Sequence, residues 1–190
     1  SIVIVFNGEI YNYQVLKQGL EKQGVTFKTK SDTEVILKLY ETKGESSFTE
    51  LDGMFAFSIY DKNRNKVFIT RDFFGEKPLY YYQDEGNFFW ASELKSITNN
   101  LNIKPEISKE GLNLYFRLTY TPAPHTIYES IFKLEANHYI EFNLALQEKT
   151  IHNQITANDN KTSIGPLLKA AEVAEMLSIS KSMAYRLMQT

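Results

Sequence analysis

Between Gly53 and Ser92 the sequence changes to a period of two. GMFAFSIYD, KVFITRD, LYYYQ and FFWAS are short aromatic or β-branched runs, separated by KNRN, FFGEKP and DEGN. Side chains that alternate along a pleated strand require a sheet, and connections this short suit antiparallel neighbours, not the long crossovers of a parallel sheet. The spacing therefore predicts an antiparallel meander from Gly53 to Ser92.

Helical patterns flank it. Tyr13, Leu16 and Leu20 share one face of a helix over Tyr13–Gln23, with Gly24 placed just beyond its end. Ser31 stands three residues before Glu34, a capping-box spacing, and Val35, Ile36, Leu39 and Tyr40 continue as one apolar side up to Gly44. Short helices are predicted around Leu94–Ile97 and, capped by Ser108, over Lys109–Phe116. YTPAPHT is an extended proline segment, and NHYIEFNL is one more strand.

The chain has 190 residues, 43% hydrophobic and 14% aromatic, enough apolar mass for one packed domain with a small appendage. Its 21 basic and 23 acidic residues are spread along the sequence, which gives no general attraction to nucleic acid or anionic membrane. No window approaches eighteen uninterrupted apolar residues, and the first residues show no secretory pattern, so no membrane span and a cytoplasmic location are expected. There is no cysteine, which excludes disulfides, thiolate metal sites and a cysteine nucleophile from these residues. The lack of an initiator Met leads to the expectation of a fragment.

The opening run, Ile2–Phe6, reads as a buried strand that ends at Asn7-Gly8. Asn-Gly at that point can be a plain turn. It can also be a site: a glycine lets a ligand approach a backbone N–H, and a neighbouring carboxamide adds a second donor, a pair suited to a developing oxyanion. Glu9 and Asp32 could then bind a positively charged group. For Asp32 the alternative is a carboxylate that favours the N-terminus of the following helix.

FNGEIYNY, SDTEVILKLY, LDGMFAFSIYD, RDFFGEKPLYYY and ASELKSI, in this order and spacing, resemble the glutaminase domain of glutamine-dependent asparagine synthetases, which are class II (Ntn-type) glutamine amidotransferases. The resemblance continues through YTPAPHTIYESIFKLEANHYIEF and covers about residues 1 to 145. It implies an α+β, Ntn-hydrolase-like αββα sandwich, incomplete at its start. It also implies glutamine amide hydrolysis that supplies ammonia for asparagine synthesis. On the matching positions, Asn7 (side chain) and Gly8 (N–H) correspond to the oxyanion hole, and Glu9 and Asp32 to residues that hold the α-amino and backbone groups of glutamine. Arg71, Asp72, Gly75, Lys77 and Pro78 match a strand-end and turn block, read as structural, with an ion pair and a turn.

The pattern is departed from in three places. The family's N-terminal cysteine nucleophile, and the arginine that grips the glutamine carboxylate, have no counterpart here. Ser1 is a poor substitute, because six residues of strand separate it from Asn7, about 20 Å at 3.3 Å per residue. An SGGxDS-type ATP loop is also absent. The chain is therefore expected to be inactive alone, to bind glutamine weakly if at all, and to hold no cofactor, ATP and magnesium belonging to the missing synthetase domain. Uncovered sheet edges would favour self-association. His125, His138 and His152 show no metal-ligand spacing.

Gln147–Gly165 is polar and reads as a linker, which divides the chain into an amidotransferase part (1–146), a linker (147–165) and a tail (166–190). The tail, LLKAAEVAEMLSISKSMAYRLMQT, resembles an excisionase- or MerR-like helix-turn-helix, with Ser180, Lys181, Ser182, Tyr185 and Arg186 as the DNA-facing residues. A packing pair of amphipathic helices is the alternative. Three basic and two acidic residues from Pro166 to Thr190 give little charge for phosphate neutralisation. A second function therefore stands beside the first: a DNA-binding protein whose amidotransferase-like part senses a ligand.

Overall fold

In the computed structural model the centre of the molecule is formed by β2 (Gly53–Asp61) and β3 (Lys66–Arg71), the two strands with the longest unbroken burial. The structure describes residues 1–154 apart from Glu85, Asn102 and Ile103. Residues 155–190 are outside that set, and with them the expected helix-turn-helix and Ser180, Lys181, Ser182, Tyr185 and Arg186. Eight strands and four helices, β1 (Ile2–Ile10) to β8 (Glu148–Asn153) and α1 (Tyr13–Lys22) to α4 (Lys109–Leu118), make up the described chain, with a 3₁₀ turn at Gly44–Glu50.

The expected single meander is split between two sheets. β1, β2, β3, β7 (His138–Asn143) and β8 form one antiparallel sheet in that order, whereas β4 (Tyr80–Gln83) lies between β5 (Phe88–Ala91) and β6 (Ile131–Lys133) in a second. FFGEKP is therefore the passage from one sheet to the other, not a hairpin. Alternation decides which core each residue joins. Phe55, Phe57, Ile59 and Phe68 meet Ile36, Tyr40 and Phe48 in the outer helical layer with α2 (Asp32–Lys43). Ala56, Val67, Ile69, Ile140 and Phe142 face Leu79, Tyr81 and Leu134 between the sheets. On the far face of the second sheet, Tyr82 and Ile131 pack with Ile97 of α3 (Leu94–Thr98). The order of layers is helix, sheet, sheet, helix, as the αββα expectation required.

Three local expectations are corrected. β1 does not stop at Asn7-Gly8: it pairs with β2 from Ile2–Asp61 to Ile10–Gly53 without a break. Nor is it buried, because β1 is an edge strand whose residues alternate, Val3 and Val5 being 55% and 71% exposed. Nine residues of pairing override a two-residue turn signal. Finally, the polar stretch read as a linker from Gln147 folds, through Asn153, as β8 against β7. An edge strand needs only one apolar face, so its polar composition concealed it.

Helix ends follow the sequence closely. Gly24 and Gly44 take positive φ beyond α1 and α2. Ser31 Oγ accepts the Glu34 N–H at 3.3 Å, but Glu34 does not return to Ser31: its carboxylate accepts the N–H groups of Lys28 (2.8 Å) and Thr29 (2.6 Å). Only half of the capping box forms, and Glu34 ties the preceding loop instead. Among the described residues no helix is long and apolar enough to cross a membrane.

Candidate functional site

β1 presents Asn7 and Glu9 on the same exposed face as Val3 and Val5. Asn7 Nδ2 donates to the Ser92 hydroxyl at 3.2 Å, which joins the edge strand of the five-stranded sheet to the residue that follows β5, the edge strand of the other. The site therefore lies at the open side of the sandwich, where both sheets end.

Gly8 follows directly, with φ at +146°, opposite Phe55. A Cβ at Gly8 would fall 2.1 Å from the Met54 carbonyl oxygen and 2.7 Å from the Phe55 Cα, so no other residue fits. Its N–H is free of the ladder for a structural reason. Phe55 spends both backbone groups on Asp72: its N–H donates to the Asp72 carboxylate (3.3 Å) and its carbonyl accepts the Asp72 N–H (2.9 Å). Gly8–Phe55 is thus a non-hydrogen-bonded pair. Further along, Tyr11 N–H donates inward to Asp52 O (2.7 Å) and Ile10 N–H outward to Asp32 Oδ2 (3.2 Å). By alternation the Gly8 N–H points to the same open edge as that of Ile10.

Asp32 begins α2. Besides Ile10 N–H it accepts the Thr33 N–H at 2.8 Å, so its carboxylate sits at the start of the helix and reaches the edge of β1. Glu9 has acidic company that sequence reading missed. Partial desolvation first, and then the negative charges of Glu76, Glu9, Asp52 and Asp72, raise the Tyr11 phenol above its ordinary value. These groups act on one exposed tyrosine from separate parts of the chain, adding negative charge near it. Asn12 secures the arrangement, donating to Glu50 O (2.8 Å) and accepting Asp52 N–H (3.1 Å). Glu9, Tyr11, Asn12, Asp52, Asp72 and Glu76 sit inside blocks that the sequence analysis quoted, but sequence spacing does not show them acting on one tyrosine.

The RDFFGEKP block is structural, but without the expected ion pair. The fully buried Asp72 carboxylate accepts the N–H groups of Phe55, Phe74, Glu76 and Lys77. Arg71 donates separately to the carbonyls of Lys77, Leu134 and Gly75. The passage between the sheets is thus wound around two buried charges, and it delivers Glu76 to the site.

Ser1, at the other end of β1, accepts the Lys62 N–H at 3.2 Å through its carbonyl, so the strand keeps its hydroxyl remote from Asn7. A hollow of about 190 Å³ between Phe88, Trp90 and Phe142 holds none of the site residues.

A family profile described as "Glutamine amidotransferase domain" matches residues 1–153. A Methanocaldococcus jannaschii protein of the asparagine synthetase [glutamine-hydrolyzing] type is 46% identical over 150 residues, 78% of this chain and 28% of the relative. Asparagine synthetase [glutamine-hydrolyzing] 2 of Bacillus subtilis is 41% identical over 154 residues, 78% of this chain and 20% of its own. In fold, the chain resembles the glutamine phosphoribosylpyrophosphate amidotransferase of B. subtilis, solved with ADP and GMP, at a TM-score of 0.57 and 20% identity over 82% of this chain and 29% of that one. The chain spans little more than a quarter of the length of the curated relatives it matches, or less. It belongs to the glutamine amidotransferase domain family, and its match is to the corresponding domain of glutamine-hydrolysing asparagine synthetases.

Proposed function

We propose that residues 1–153 form a glutamine-binding half-site of an asparagine-synthetase-type enzyme, in which Asn7 Nδ2 and the Gly8 N–H polarise the side-chain amide of glutamine. Glu9 and Asp32 hold its α-ammonium and backbone groups, and the carboxylates around Tyr11 support that charge. The observation that carries the reading is the outward Gly8 N–H beside a carboxamide, both on the open edge of β1. Two converging donors stabilise negative charge as it develops on the amide oxygen.

Hydrolysis needs a nucleophile as well. The chain has no cysteine, and six residues of continuous strand hold Ser1 away from Asn7. The 190 residues by themselves therefore bind glutamine weakly and do not cleave it. ATP and magnesium belong to the synthetase chemistry, which lies outside residues 1–153.

Titration of the ¹⁵N-labelled chain with glutamine tests this. Glutamine shifts the amide resonances of Gly8 and Glu9, Asn7→Ala abolishes the shifts, and no ammonia appears above a heat-denatured control. Resonances that stay in place at saturating glutamine, or ammonia release by the chain alone, would overturn the proposal.

A further inference from the structure

Gln154 follows β8, one position beyond the stretch that the family profile matches, yet it is only 5% exposed. A carboxamide buried at the end of a polar edge strand needs partners. Its Nε2 donates to the Arg71 carbonyl at 2.8 Å and to the His138 carbonyl at 3.3 Å, and its own N–H donates to the Asn137 carbonyl at 2.8 Å. Sequence composition puts this residue in a linker; the structure puts its side chain inside the domain.

These contacts bracket Asp72. The Arg71 carbonyl and the Asp72 N–H belong to one planar peptide group and point in opposite directions across it. The carbonyl accepts Gln154 Nε2, and the N–H donates to Phe55 O at 2.9 Å. On the other side of Asp72, its carbonyl accepts the Asn137 N–H at 2.9 Å, and the Asn137 carbonyl in turn accepts the Gln154 N–H. Gln154 thus grips the peptide before Asp72 directly and the peptide after it through Asn137. Fixing a carbonyl fixes the N–H across the same plane, and each bond in such a chain polarises the next. The N–H and carboxylate of Asp72 are the groups that engage Phe55, opposite Gly8, and the same carboxylate accepts the Glu76 N–H at 2.9 Å.

We infer that Gln154 is a positioning residue of the glutamine site: through the Arg71–Asp72 peptide it fixes the Phe55–Gly8 pair, and with it the direction of the Gly8 N–H. The inference rests on reading the β1 edge as a glutamine half-site and goes beyond it, since the partners Arg71, Asn137 and His138 lie outside β1. Arg71 is buried, so its carbonyl cannot exchange the carboxamide for bulk water without cost. A residue that merely pinned the end of β8 to the sheet would affect stability and leave Gly8 as it is. Orientation of Gly8 is what separates the two roles.

The test compares amide spectra, hydrogen exchange and glutamine titration for the full ¹⁵N-labelled chain and its variants, well below their melting temperatures. Gln154→Leu keeps the bulk and removes the donors. It speeds exchange at the Asp72 amide at least about tenfold while Ile36 on α2 keeps its wild-type rate, as a local opening does. It also moves the Gly8 resonance and weakens glutamine binding about threefold to tenfold, the loss of one orienting hydrogen bond. Gln154→Glu, equally without a donor when ionised, repeats these changes should Gln154→Leu not melt cooperatively. Ile140→Val trims a buried side chain of β7 and leaves both the Gly8 resonance and glutamine affinity as they were. Any of three results overturns the inference: an unmoved Gly8 resonance, equal acceleration at Asp72 and Ile36, or wild-type glutamine affinity in Gln154→Leu. Failure of both variants to fold does so too, by making Gln154 a folding residue. Absence of glutamine-induced shifts in the wild type sinks the half-site instead, and the exchange and Gly8 readings alone then decide whether Gln154 positions Gly8.

Discussion

Asn7 and Ser92, 85 residues apart, are joined by a 3.2 Å hydrogen bond that ties the edges of the two sheets together at the mouth of the site. The contact is exposed, so it contributes little to stability, and its consequence is orientation of the carboxamide. Ser92→Ala is expected to change unfolding free energy by less than about 0.5 kcal/mol. It should weaken glutamine binding roughly threefold to tenfold, as loss of one orienting hydrogen bond would. Urea unfolding and glutamine titration of the same variant check both.

Gly8 and Gly19 make a controlled pair. Gly8→Ala places a methyl group against the Met54 carbonyl at a positive φ and is expected to cost about 2 kcal/mol or more. Gly19 lies in α1, where an added methyl group would meet nothing within 4 Å, so Gly19→Ala stabilises by roughly 0.5–1 kcal/mol. Chemical denaturation should move the two midpoints in opposite directions.

Asp72 holds four backbone N–H groups with a fully buried carboxylate. Asp72→Asn presents an NH₂ group to donors that need an acceptor and should cost roughly 2 kcal/mol or more. The turn that carries Glu76 would loosen with it, detectable as faster hydrogen exchange at Phe74, Glu76 and Lys77.

Glu34 titrates within an accessible range. The Lys28 N–H first, and then the Thr29 hydroxyl, hold its carboxyl down at about 2, against an ordinary value of 4.5. A depressed carboxylate stabilises the fold in full above the unfolded value and loses that contribution as pH falls towards the folded one. Between pH 4.5 and 2 the wild type should therefore lose more stability than Glu34→Gln, which has nothing to protonate there. Equal losses, measured by urea unfolding across that window, would remove the role of Glu34.

The exposed edge formed by Val3 and Val5 should promote association between copies. Val5→Lys is expected to lower the sedimentation-average mass at high concentration while leaving the melting temperature unchanged.

Sequence alone determined the helices, their glycine ends, the antiparallel pairing and the site blocks, because these follow from local spacing and turn chemistry. Asn7, Gly8, Glu9 and Asp32 could be grouped from their residue types, and the order of the blocks added to that grouping. Tertiary structure decided what local rules cannot express. Pairing along nine residues carried β1 through its Asn-Gly, and the passage around Arg71 and Asp72 split one apparent meander between two sheets. An edge position made a strand of the polar stretch Glu148–Asn153. The most consequential decision concerns Gly8: its N–H is free because Asp72, 64 residues later, engages both backbone groups of the facing Phe55. Hydrogen-bond satisfaction is settled across the whole ladder, so a donor's availability depends on partners that no window of sequence contains.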